Sequence, residues 1–202
     1  MDEFQKLKGS LAGQRVACIA SGPSLTLEDC EMIRAARLPT IVVNTSFRLA
    51  PWADFIFAMD DLWWKTYSAE LDSVFFGKKL TFVANEFNTI PSKGRLYPPG
   101  FGNSGSYAIS AMIMAGAKEI ILIGYDCKFA QNDDGHGPKI KKHWHPDHPG
   151  KMGNASSIAR WPYQFHLIAK HAVQKGVRII NCSRDTALTC FERGNLESEL
   201  SK

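Results

Sequence analysis

Residues 15–29 read RVACIASGPSLTLED, and this stretch decides the fold. Arg15 to Ala20 is an apolar run of the length expected for a strand buried on both faces. Ser21-Gly22-Pro23-Ser24 breaks the run as a tight turn. Thr26 and Asp29 then have the spacing of a capping box, with Asp in place of the usual Glu, for a helix to about Arg37. Strand, polar turn and helix repeat outward from here. Thr40 to Asn44 (TIVVN) and Asp54 to Met59 (DFIFAM) read as strands, Leu62 to Leu71 as a helix, and Leu80 to Val83 as a short strand. Asn85 to Gly102, rich in Pro and Gly, reads as a loop. Ser106 to Ala115 is a helix of small and apolar residues, and Glu119 to Ile123 (EIILI) the next strand. Ser157 to Lys175 has helical periodicity, and Pro162 must sit in its first turn or kink it. Arg178 to Asn181 closes the strand list.

Apolar strands separated by helices imply a mostly parallel sheet with helices on both faces, a Rossmann-like, doubly wound α/β fold. Composition agrees. The 202 residues are 45% hydrophobic and 22% charged, with 16 Gly and 10 Pro, which excludes disordered, collagen-like and coiled-coil classes. We expect a single nucleotide-binding domain over residues 1–202. Within it, Tyr125 to Ala155 lacks periodicity and reads as a lid-like insertion after the fifth strand. The 24 Lys and Arg against 20 Asp and Glu give a net charge of +4, too small to announce a nucleic-acid partner. The 5 cysteines are an odd number with no CxxC pair, as for reduced thiols in a cytoplasmic protein. Met1 to Gln14 is polar and unlike a secretion signal, and no run approaches the roughly 18–20 apolar residues of a membrane span. The expectation is a soluble, cytoplasmic protein with no membrane partner; the sequence is also compatible with an oligomer.

In open parallel sheets, ligands bind beyond the carboxyl ends of the strands. Here those ends carry Ser21, Gly22, Pro23 and Ser24, then Asn44, Thr45 and Ser46, then Asp60 and Asp61. Gly124-Tyr125-Asp126 and Asn181-Cys182-Ser183 follow the later strands. The turn Gly102-Asn103-Ser104-Gly105-Ser106 opens a helix whose free N–H groups suit an anion such as phosphate. Turns and caps require such residues singly; five polar strand ends together indicate a ligand cleft. Neither GxGxxG nor GxxxxGK[ST] occurs, which demotes NAD dehydrogenases and P-loop kinases but not nucleotide ligands.

Four of the 6 histidines lie between His136 and His148. His143-Trp144-His145-Pro146-Asp147-His148 resembles the HxHxDH signature of the metallo-β-lactamase superfamily, and three imidazoles with a carboxylate suit Zn²⁺. That makes His143, His145 and His148 tentative metal ligands. The context differs: in that superfamily the signature comes earlier and further ligands follow, whereas here only His166, His171 and Asp185 follow. A role in acid/base chemistry or phosphate contact is the preferred reading, with zinc ranked below it.

Other resemblances extend over residues 15–193. Ser21-Gly22-Pro23-Ser24-Leu25 and Val43-Asn44-Thr45-Ser46 resemble the nucleotide-binding start of the Campylobacter-type bacterial sialyltransferases. Ser104 to Tyr107, Ala115 to Ile120, Gly124 to Asp126 and Lys175 to Ser183 are similar in order and spacing. The framework recurs in the 6-hydroxymethylpterin diphosphokinase-like family, in flagellin-modifying motility accessory factors and in small phage proteins. The resemblance implies a cleft for CMP or another nucleotide. Gly22, Pro23 and Ser24 would line its phosphate and ribose side, and Asn44 would contact the nucleotide. Ser104 and Gly105 would contact sugar or phosphate, with Asp126 at the base. Ser21 replaces the sialyltransferase Asn, Lys128 and Phe129 replace the phosphate-binding tyrosines, and Asn154 stands at the catalytic histidine. His148 is the nearest substitute, so a sialic-acid donor is not supported.

The function expected is therefore a nucleotide-dependent transferase. The first reading is a glycosyltransferase with a nucleotide or nucleotide-sugar donor, an unspecified acceptor and a histidine base, His148 or His145, with His143 beside them. Lys128, Lys139, Lys141, Lys142 and Lys151 would stabilise the leaving phosphate, and the insertion carrying Trp144 would exclude water. A diphosphokinase is the alternative, using Mg²⁺ on Asp60, Asp61 or Asp126. A non-enzymatic nucleotide-binding or virion-associated module and a zinc hydrolase are the other classes.

Overall fold

The computed structural model describes residues 6–81, 102–133, 138–150, 152 and 158–202. Its centre is a seven-stranded sheet in the order β4-β3-β2-β1-β5-β8-β9, with every pairing parallel. The strands are β1 (Arg15–Ile19), β2 (Thr40–Val43), β3 (Phe55–Phe57), β4 (Lys78–Leu80), β5 (Glu119–Ile123), β8 (Arg178–Asn181) and β9 (Glu192–Arg193). The helices are α1 (Leu27–Ala35), α2 (Asp61–Val74), α3 (Ser104–Met114), α4 (Trp161–Gln174) and α5 (Leu196–Leu200). The fold is the Rossmann-like, doubly wound α/β class. Among the described residues, no helix is long and apolar enough to cross a membrane.

Alternation along the strands creates two cores, because successive side chains leave a strand on opposite faces. Val16, Cys18, Ile41, Val43, Ile120 and Leu122 pack under α3 and α4. Ala17, Ile19, Val42, Ile56, Ile121 and Ile123 pack under α1, α2 and α5. Both faces are covered, so the central strands read as unbroken apolar runs. α3 is buried nearly all round, and its Ala108 and Ala111 bring helix and sheet close. The capping box of α1 forms in full: Thr26 accepts from the Asp29 N–H, and the Asp29 carboxylate accepts from the Thr26 N–H.

The chain runs outward from β1 to β4, then returns to place β5 on the other side of β1. Strand order therefore reverses between β1 and β5. That position opens a crevice at the carboxyl end of the sheet.

Several boundaries differ from expectation. The fourth strand is Lys78–Leu80, earlier than expected, because β4 is an edge strand, where Lys78 can pair with β3 and stay exposed while Lys79 is half-buried. Val83 and the expected loop from Asn85 lie outside the described residues. A short 3-10 turn, Ile158–Arg160, precedes α4, and Pro162 occupies the helix's first turn, where a missing N–H costs nothing. Beyond the expected last strand, β9 and α5 follow. Within the stretch read as an insertion, β6 (Ala130–Asp133) and β7 (Pro138–Lys141) pair antiparallel.

Candidate active site

A cavity of about 360 Å³ lies at the reversal between β1 and β5. Its floor depends on two glycines. A Cβ on Gly22 would stand 2.3 Å from Asp126 Oδ1 and 2.5 Å from the Gly124 carbonyl. Gly124 has φ +70° and comes against the Ala20 carbonyl, where a Cβ would lie 2.5 Å away. This approach lets Asp126 sit beneath the β1 turn. The Asp126 carboxyl accepts from the Ser24 N–H (2.7 Å) and hydroxyl (2.8 Å). Only 1% of Asp126 is exposed. Burial raises its pKa from 3.8 to about 6 against the pull of Ser24.

Gly22, Pro23, Asn44, Asp60, Asn103, Ser104, Gly105, Asp126, His143 and His148 all line the cavity. Ser24 and Ser46 are not on its wall; they hold residues that are. Ser24 fixes Asp126, and the Ser46 hydroxyl meets the Ser21 hydroxyl at 2.9 Å. Asn44 has φ +50°, a left-handed conformation Asn tolerates, and its buried Oδ1 has no hydrogen-bond partner among the described residues. Asn103 caps α3 by accepting from the Ser106 N–H at 2.9 Å. The Ser104 hydroxyl accepts from the Met59 N–H at 3.2 Å. The amino termini of α2 and α3 thus both face the cavity.

The histidine string docks on the β1 turn, where the Trp144 N–H donates to the Ser21 carbonyl at 3.3 Å. The His143 and His145 rings stack, with centroids 4.9 Å apart, and His148 lies 4.9 Å from His145 and 5.8 Å from His143. Burial lowers the pKa of all three to about 4, with mutual repulsion adding to it, so each is a neutral imidazole at neutral pH. His145 is buried, does not line the cavity, and meets the Pro146 carbonyl through Nδ1 at 2.6 Å. Among the described residues, the buried Nε2 atoms of His143 and His145 have no hydrogen-bond partner. Among the described residues, no group of three or more His, Cys, Asp or Glu side chains is arranged to hold a metal ion.

Of the flanking lysines, Lys128 and Lys142 reach the wall, paired at its rim with Asp185 (2.6 Å) and Asp147 (3.1 Å). Lys141 donates to the Pro23 carbonyl at 3.3 Å. Asp61, named beside Asp60 for Mg²⁺, pairs with Lys65 at the surface and does not line the cavity. His136, Lys151 and Asn154 lie outside the described residues, as does the Lys139 side chain.

Sequence reading missed the apolar wall, formed by Met59, Trp63, Trp161 and Phe165. It also missed Tyr67, whose hydroxyl meets His148 Nδ1 at 2.8 Å. Trp63 and Tyr67 stand four residues apart on α2 and so share a face, the one available signal. A cavity with a polar floor, two helix amino termini, aromatic walls and neutral histidines can hold a flat, phosphate-bearing ligand and move a proton beside it.

Fold and cavity together define the class: a Rossmann-like α/β domain with its candidate site at the point where strand order reverses. The chain matches no protein-family model and no curated protein sequence. Among solved structures it is similar to a MAf glycosyltransferase from Magnetospirillum magneticum AMB-1, with a TM-score of 0.63 and 16% identity. The match covers 95% of this chain and 35% of that one, so the chain spans about a third of that protein's length. At this identity the likeness is one of fold.

Proposed function

We propose that the protein is a transferase of glycosyltransferase type that takes a nucleotide-activated donor in the cavity between β1 and β5. One observation carries the reading: ten residues singled out from the sequence as strand-end, cap or histidine groups converge on one cavity. The likeness in fold to a glycosyltransferase supports it. The donor's phosphates would lie toward the amino termini of α2 and α3 with Lys128 and Lys142 at the rim, and its base against Trp161 and Phe165. A neutral histidine on the wall would take the acceptor's hydroxyl proton. The segment that carries the histidine string, residues 138–150, would act as a lid, in a single domain working in a reducing, cytoplasmic setting.

Thermal shift with CMP, UDP, GDP and ATP, each with and without Mg²⁺, tests this. A nucleotide at about 100 times its Kd stabilises by about 2.7 kcal/mol. In a domain of this size that raises Tm by roughly 5–10 °C. No shift with any of the four overturns the proposal. A response to ATP alone, dependent on Mg²⁺, would instead favour the diphosphokinase reading, for which Asp60 and Asp126 are the carboxylates on the cavity wall.

A further inference from the structure

Among the described residues, four helices start beside a side chain suited to capping them, and one of the four forgoes the bond. Thr26, Asn103 and Asn195 each accept from a backbone N–H in the first turn of α1, α3 and α5. Asp60 holds the same place before α2, on extended backbone, yet its side chain makes no cap bond. Aspartate is among the strongest N-cap residues, so a favourable local bond is given up. Asp60 is exposed and lines the cavity. Among the described residues its carboxylate has no hydrogen bond or ion pair, whereas its neighbour Asp61 pairs with Lys65. A local rule broken at a cavity wall marks a group that serves a ligand.

Asn44 is a second acceptor in the same corner. It follows β2, and its buried Oδ1 has no donor among the described residues. β2 and β3 pair in parallel with Val43 opposite Phe57, so Asn44 and Asp60 follow the carboxyl ends of neighbouring strands onto one cavity wall. A buried acceptor left without a donor is costly, and a carboxylate only accepts. This corner therefore lacks donors, which a ligand has to bring. Phosphate brings none, and its charge is repelled by Asp60. Hydroxyl groups bring donors without charge, and a carboxylate has two oxygens to accept from an adjacent pair of them. Trp63, three residues on from Asp60, adds apolar surface to the wall. The Met59 N–H bond to the Ser104 hydroxyl sets the corner beside the amino terminus of α3.

We propose that Asp60 is a specificity-determining residue for the 2,3-diol of a sugar phosphate, its carboxylate accepting from both hydroxyls with Asn44 Oδ1 beside it. Resting on the transferase reading, this divides the work between the two helix termini on the cavity. The terminus of α3, capped by the uncharged Asn103, takes phosphate. The terminus of α2 already has the negative charge it favours in Asp60 and takes the sugar. The diol belongs to the donor's ribose or to the sugar it transfers, since both carry vicinal hydroxyls close to a phosphate. A site built to bond hydroxyls rejects an analogue that lacks one, because its acceptors are then left unpaired.

NMR titration of the ¹⁵N-labelled full chain tests this without a choice of base. The probes are ribose 5-phosphate and glucose 1-phosphate, each against its 2-deoxy form, in EDTA so that no cation bridges phosphate to Asp60. The wild type should bind one hydroxylated sugar phosphate about 10-fold or more tightly than its deoxy form, and Asp60→Ala should bring that pair together. Discrimination within the ribose pair assigns the diol to the donor's ribose, and within the glucose pair to the transferred sugar; either supports the proposal. No discrimination in either pair, or the same discrimination in Asp60→Ala, overturns it. Asp60→Asn keeps the side chain's shape with one acceptor oxygen, and a full wild-type preference in this variant also overturns the proposal. A nucleotide-induced thermal shift without diol discrimination strikes this inference and leaves the transferase reading standing. Diol discrimination with no response to any nucleotide strikes the transferase reading alone.

Discussion

Replacing Asp126 by Asn should remove a pH dependence of stability that the wild type carries between about pH 4 and 6. The carboxyl is buried under the β1 turn, and its pKa rises from 3.8 to about 6 in the folded state. Between those values the unfolded chain has released the proton while the folded protein holds it. The folded state then binds more protons, so this group's contribution to stability falls as pH rises. The difference amounts to about 3 kcal/mol, fully expressed above the folded pKa and absent below the unfolded one. Asn reproduces the protonated acid: its carbonyl accepts from the Ser24 N–H, and its amide donates to the Ser24 hydroxyl. Urea unfolding of both proteins from pH 4 to pH 7.5 isolates the term, because the other carboxylates contribute alike to each. The expected result is near-equal stability at the acid end and an Asn variant more stable by up to about 3 kcal/mol at neutral pH. A variant less stable than wild type by a constant amount at every pH would refute the reasoning. Asp126 would then be an ionised carboxylate stabilised by Ser24.

Two further changes separate the site from the scaffold. Gly22→Ala places a methyl 2.3 Å from Asp126 and 2.5 Å from a backbone carbonyl, so it should destabilise by about 1–3 kcal/mol in thermal melts and weaken any nucleotide-induced shift. Glu119, at the opposite end of the sheet, accepts from Arg15 (2.7 Å) and Arg178 (2.8 Å), and although burial opposes them these bonds lower its pKa. Glu119→Gln should therefore cost about 1–3 kcal/mol at neutral pH and leave the nucleotide response unchanged. Its deficit should shrink as pH falls through the folded pKa, where the wild-type carboxylate is protonated; a deficit that persists in acid contradicts this.

The parts of the fold legible in the sequence are those with a strong local signal. β5 and β8 fall at the expected residues because their apolar runs are bounded by polar turns. The box between Thr26 and Asp29 announces α1 within four residues. β4 was displaced because Lys78 and Lys79 carry no strand pattern, and they join the sheet only by pairing with β3. β9 has two residues, too few for any period. The cavity was legible because the carboxyl ends of parallel strands converge by topology. Its internal chemistry was not. Ser24 and Asp126 are 102 positions apart, and Tyr67 and His148 are 81 apart; nothing local joins either pair. The separation of His145 from its two neighbours was equally hidden, since only the docking of the string on the Ser21 carbonyl decides which rings reach the wall.

A crystal structure of the protein soaked with the nucleotide that stabilises it most is the most direct test of the central claim. The account predicts phosphates beside the Gly22 turn and the amino terminus of α3, a base against Trp161 and Phe165, and His143 and His148 facing the reacting end. A nucleotide bound anywhere else, such as the groove between α4 and β9, would contradict it.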